Sequence, residues 1–179
     1  AAGDVASALT VDVCRQLVDR LPVHIEDLER LVAAANDRVR ERAATAGTEG
    51  MGTTLVAVVL IDNGGDDGLA VVNVGDSRCY AWDDDQGLAR LTHDHSVVQE
   101  LVDAGAISES DADRHPERNV VTRAIGIEPA VAADFIVLPR RARQRLLLCS
   151  DGVSGPLGDE RLAEILAGHD DVSSAVNAL

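Results

Sequence analysis

The chain has 179 residues, a formal net charge of −15, 46% hydrophobic residues and only 2% aromatic ones. That length supports one ordinary core without disulfides or a structural metal, and the core must be built from Val, Leu, Ile and Ala. The negative field disfavours nucleic acid and anionic lipid as partners while concentrating divalent cations.

In chain order, Val5, Leu9, Val13 and Leu17 form a 3.6-residue stripe, predicting a helix to Leu21, where Pro22 would break it. A second stripe at Leu28, Val32, Ala35 and Val39, interleaved with charged residues, predicts another helix that ends in the loop Gly47 to Gly52. The register then changes to sheet. Thr54–Ile61 and Leu69–Val74 read as strands joined by the turn Asp62-Asn63-Gly64-Gly65. After the corner Gly75-Asp76-Ser77 come short strands at Arg78–Trp82 and Leu88–Leu91, the whole reading as an antiparallel meander. Ser96–Ala104 predicts a helix closed by Gly105, and Ser108 with Asp111 marks a second helix start. Strands return at Ala132–Leu138 and Arg145–Cys149, and Asp159 is placed to cap a helix from Glu160 to Ala167. Strands and helices are segregated rather than alternating, so the expected class is α+β with antiparallel sheets covered by helices. The expected organisation is a single domain over 1–179. Ala1 and Leu179 both fall inside helical patterns, so both ends read as excised.

Every basic side chain other than histidine is Arg, the planar, bidentate kind that suits phosphate and carboxylate. Cys14, Cys79 and Cys149 are odd in number and scattered, and read as reduced, buried small hydrophobes. No stretch approaches the ~20 apolar residues of a membrane span and no leader opens the chain, so a cytoplasmic location is expected.

Asp76 and Asp151 occupy equivalent places. Each follows an apolar strand, which would deliver a carboxylate to the rim of a sheet beside a glycine. Hard cations such as Mg²⁺ or Mn²⁺ prefer such oxygen ligands. Asp beside Gly after a strand is also ordinary turn chemistry, so the spacing alone does not assign a site. His93-Asp94-His95 could place two imidazoles on one side of an extended segment, but no third ligand stands at a recognised spacing. Cys14 and Arg20 match a C-x5-R spacing, yet the residues between them form a helix face rather than a phosphate-cradling loop. No G-x-S-x-G elbow, P-loop or dinucleotide fingerprint is present.

Taken together, five blocks carry a resemblance: Gly50-Met51-Gly52-Thr53-Thr54; Val72 to Arg78; Leu91 to Ser96; His115 to Asn119 with Thr122 to Gly126; and Leu147 to Gly152. In order and spacing they resemble the motif series of the metal-dependent type 2C, or PPM, protein serine/threonine phosphatases of bacterial type. The resemblance implies a β-sandwich of two antiparallel sheets flanked by helices, with two and in some members three Mn²⁺ or Mg²⁺ ions at one end. It implies hydrolysis of phosphoserine and phosphothreonine in proteins by a metal-activated water, on substrates made by a cognate serine/threonine kinase. Asp151 would be a ligand of the catalytic metal pair, and Asp76 would join it at an additional metal site. Residues 96–126 would be the flap beside the active site, where His115, Arg118 and Arg123 could meet substrate.

The family's upstream Asp-Gly-x-Gly-Gly motif and closing Asp-Asn strand do not occur within these 179 residues. These residues alone are therefore expected to bind Mn²⁺ weakly and to turn over substrate slowly or not at all. The competing reading is a phosphatase-like regulatory or scaffold domain that acts by binding a partner; the retained Asp76 and Asp151 weigh against it.

Overall fold

The computed structural model describes residues 2–18, 20, 22–62, 67–141 and 144–179. Its helices are α1 (Ala2–Cys14), α2 (Ile25–Ala46), α3 (Val97–Asp103), α4 (Glu109–Ala112), α5 (Asp151–Gly168) and α6 (Val172–Ala178). Its strands are β1 (Leu55–Asp62), β2 (Asp67–Val74), β3 (Arg78–Asp83), β4 (Gly87–Arg90), β5 (Asp134–Pro139) and β6 (Arg145–Cys149). The expected turn after Asp62 lies outside the described residues.

The strands form two antiparallel three-stranded sheets, ordered β1-β2-β5 and β4-β3-β6. The meander expected from the sequence is therefore cut in two. Local hairpins β1–β2 and β3–β4 belong to different sheets, and the corner at residues 75–77 carries the chain from one to the other. Gly75 makes the corner with φ 105°, a conformation that an L side chain rarely adopts. A Cβ there would also collide with Thr54.

Alternation along each strand sorts the layers. On the first sheet Ala70, Val72 and Val74 face α1 and α2, meeting Ala6, Val13, Leu28, Val32, Ala35 and Val39 in one core. On the second, Tyr80 and Cys149 pack on Leu162 of α5, and Trp82 packs on Leu166 and Ala175 of α5 and α6. The architecture is thus a sandwich of two antiparallel sheets flanked by helices, as expected. With so few aromatics, Tyr80 and Trp82 both go to the smaller core, where they fill volume that aliphatic side chains would leave open.

Some boundaries differ from expectation. α1 ends at Cys14 in a 3-10 turn, Arg15–Leu17, and Val18 is already extended, with φ −63° and ψ 129°. Cys14 is only partly buried, unlike Cys79 and Cys149; all three are free thiols. The last helical region starts at Asp151 rather than at Glu160, with a break at Gly158 (φ 68°, ψ 165°) just after Pro156. Asp159 does not act as the cap, since its carboxylate accepts a hydrogen bond from Tyr80 Oη at 2.8 Å.

Candidate active site

A cleft of about 980 Å³ opens where the sheet corner, the segment 90–96, the helices α3 and α4 and the start of α5 meet. Asp76 and Asp151 both line it. Asp76 follows β2 at the corner and is half-buried; Asp151 is the first helical residue after β6 and is exposed. Burial pushes the Asp76 carboxyl above its ordinary range, and the negative charges of Asp151 and Asp94 push the same way, against its own backbone N–H and Arg78. The two carboxylates are thus close enough to repel, and among the described residues neither has an ion-pair partner. An oxygen pair in this state suits a hard divalent cation, which would reverse the sign of the interaction. Among the described residues no three His, Cys, Asp or Glu side chains cluster tightly enough to hold an ion, so the pair supplies part of a ligand set.

The corner is braced from several sides. Ser77 Oγ and Thr54 Oγ1 are 2.9 Å apart, and Asn73 Nδ2 donates to the Gly75 carbonyl at 3.3 Å and the His93 carbonyl at 3.1 Å. Asn73 is fully buried, and its Oδ1 has no partner among the described residues. Beside the corner runs a network that sequence reasoning missed. Arg78 grips Asp94 through Nε (3.1 and 3.0 Å) and Nη2 (2.6 Å), while its Nη1 donates to Tyr80 Oη at 3.3 Å. Burial alone would ease the proton off Arg78, but Asp94 outweighs it and holds the guanidinium charged. Burial also pushes the Tyr80 phenol up to about 12, so it serves as a neutral donor to Asp159. Arg78 and Asp94 lie sixteen positions apart, and only their places in two of the motif blocks hinted at a connection.

The other candidates are dispersed. Arg118 is exposed and lines the cleft from the flap. His115 lies outside the cleft lining, and its Nδ1 accepts the Glu117 backbone N–H at 3.2 Å. Arg123 is turned away to Asp134, with Nη1 3.1 Å from Oδ1. The flap stem is closed by antiparallel bridges Ser96–Val121 and Thr53–Ile125, and its far end is held by Asn36, whose Oδ1 accepts from Gly126 N at 2.7 Å.

The His93-Asp94-His95 clip does not form. His93 is exposed and reaches Asp103 at 3.0 Å, whereas His95 is buried with both ring nitrogens engaged. Cys14 and Arg20 line a separate apolar cavity of about 500 Å³ between α1, α2 and β1. Burial there raises the Cys14 thiol, the opposite of what a nucleophilic cysteine needs.

Comparison with known proteins decides the family. The profile described as Protein phosphatase 2C matches residues 1–177. The chain belongs to the protein phosphatase 2C family. It is 37% identical over 172 residues to the serine/threonine phosphatase Stp of Listeria innocua, covering 92% of this chain and 66% of that protein. It is likewise 37% identical over 172 residues to the serine/threonine protein phosphatase PstP of Mycobacterium tuberculosis, covering 93% of this chain and 32% of that one. The chain thus spans about two thirds or less of these relatives' lengths. Among solved structures, Mycobacterium tuberculosis PstP superposes with a TM-score of 0.88 at 36% identity, covering 99% of this chain and 74% of that one. The PstP catalytic domain in complex with two manganese ions superposes with a TM-score of 0.85 at 34% identity, covering 99% and 73%. No helix among the described residues is long and apolar enough to cross a membrane.

Proposed function

We propose that the protein hydrolyses phosphoserine and phosphothreonine in phosphoproteins, using Mn²⁺ or Mg²⁺ held in part by Asp76 and Asp151. The observation that carries this reading is the convergence of two mutually repelling, unpaired carboxylates on one cleft of a protein phosphatase 2C family member. Two ions, with a third possible beside Asp76, would supply an activated water and neutralise charge on the phosphoryl oxygens.

The chain's own residues do the positioning. Asp76 arrives on a braced corner and Asp151 on a helix start, so neither depends on a mobile loop for its place. Arg118, exposed on the flap and lining the cleft, suits the incoming phosphate or an acidic residue near it. His115 and Arg123 are weaker partners for substrate, because Arg123 already has its carboxylate in Asp134 and His115 stands outside the cleft lining. Arg78 is committed to Asp94 and acts as scaffold. Ligands from outside these 179 residues would complete the metal shell.

A serine/threonine kinase would generate the substrates, and the net charge of −15 argues against nucleic acid as a partner. A cytoplasmic location fits such a pairing. The binding-only alternative gives no reason to hold two carboxylates together at an electrostatic cost. The test is Asp151→Asn in the intact protein. Mn²⁺-dependent turnover of a phosphothreonine peptide is expected to vanish while the melting temperature holds; unchanged turnover overturns the reading.

A further inference from the structure

His95 is an anomaly for a polar triplet that reads as surface. It is 4% exposed and holds the corner that carries Asp76. Its Nδ1 lies 3.0 Å from the Gly75 backbone nitrogen, and its own backbone N–H donates to the Gly75 carbonyl at 3.0 Å. Both polar groups of Gly75 are therefore bound by one residue.

The ring's protonation follows from its neighbours. A backbone N–H can only donate, so Nδ1 must accept, and the ring proton sits on Nε2. That Nε2–H faces Asp134 Oδ2 at 3.2 Å. Arg123 Nη1 donates to the other oxygen of Asp134 at 3.1 Å and stands 3.2 Å from Nε2, a contact between two donors that the Asp134 carboxylate they share offsets. Burial works to raise the Asp134 carboxyl, but His95 and Arg123 outweigh it and keep the carboxylate ionised. Strand register puts Asp134 in this place: it is the first residue of β5, directly opposite Asn73 on β2.

We propose that His95 is a positioning residue of the metal centre, with Asp134 and Arg123 fixing its ring from the far side. The role rests on the metal-centre reading above. Its force comes from geometry. Gly75 has no side chain to restrict it, and a rotation of about 20° there would swing the Asp76 carboxylate by about 1 Å. Metal–oxygen distances tolerate only about 0.2 Å. A glycine beside a ligand therefore needs an external clamp, and the imidazole supplies it.

Two substitutions separate this role from simple packing. In His95→Asn the side-chain oxygen stands near the place of Nδ1 and can still accept from Gly75; in His95→Gln the amide reaches toward Asp134 but leaves the Gly75 N–H without its acceptor, while the backbone bond to the Gly75 carbonyl stays. In the intact protein, His95→Gln is expected to weaken Mn²⁺ binding by about tenfold or more, read from the electron paramagnetic resonance of free Mn²⁺, and to speed Gly75 amide exchange. His95→Asn is expected to stay near wild type in both. Asp134→Ala, at a half-buried position at the start of β5, is expected to weaken Mn²⁺ severalfold and serves if the His95 variants misfold. Equal Mn²⁺ affinities across the variants, with only their melting temperatures lowered, would leave His95 as packing and overturn the role. Unchanged Gly75 exchange in His95→Gln would overturn the clamp itself. A wild-type protein that fails to bind Mn²⁺ would overturn the metal-centre reading and the role with it.

Discussion

Removing Asp94 should be costly out of proportion to its size. The carboxylate is 8% exposed and takes three N–H contacts from Arg78, the shortest at 2.6 Å. Asp94→Ala would leave the guanidinium with only Tyr80 Oη at 3.3 Å. Breaking a buried pair by deleting one partner costs roughly 3–5 kcal/mol. Arg78 keeps 24% of its side chain exposed and can draw in water, so the expected loss is at the low end, about 3 kcal/mol. Arg78→Met should cost less, about 2 kcal/mol, because Arg90 stands 4.0 Å from Asp94 and can partly replace the lost cation. The double variant Arg78→Met/Asp94→Ala should then be cheaper than the sum by about 2 kcal/mol, the coupling between the two groups. Urea unfolding of the four proteins, with slopes compared to check that the two-state treatment holds, measures this directly. A coupling below about 0.5 kcal/mol would show the pair to be solvent-screened and refute the scaffold role given to Arg78.

Three further predictions follow from the same region. Gly75→Ala should lose about 2–4 kcal/mol in urea unfolding, since φ 105° is strained for alanine and its methyl meets Thr54. Asp76→Asn should raise the melting temperature of the metal-free protein at neutral pH while reducing any rise in melting temperature on adding Mn²⁺. The sign follows from a carboxyl whose folded pKa is raised: its ionisation costs the folded state stability as pH rises, and the amide removes that cost. Asp134 is the opposite case, its folded pKa being lowered: burial opposes the shift, and His95 and Arg123 produce it. Its contribution is present above the unfolded value of about 3.9 and is lost as pH falls through the folded one, so Asp134→Asn should flatten the acid limb of a stability–pH curve.

The strands were legible because β1, β2 and β6 are near-continuous aliphatic runs, although only β2 is buried on both faces while β1 and β6 stay partly exposed. The partition into sheets was not. Gly75 announces a turn, but nothing local says that the chain leaves one sheet for another there. The beginning of α5 was hidden by Gly152, Gly155, Pro156 and Gly158, which read as loop residues; burial of Ser154 against the sheet end and the break at Gly158 accommodate them. Asp76 and Asp151 could be paired in advance through the family's motif order. The Arg78–Asp94 grip and the burial of His95 could not, because each depends on residues distant in the chain that meet only after folding.

The corner at Gly75 has a consequence for distant substitutions. Asp76 sits on the link between the two sheets, while Asp151 follows β6 of the second sheet alone. Their separation is therefore a gauge of how one sheet lies on the other. Val71 is fully buried and paired with Val58 on the sheet face away from the α1–α2 core, so repacking it would act as a shim between the layers. Such a change, remote from any ligand, would be read out at the cleft as altered cation affinity.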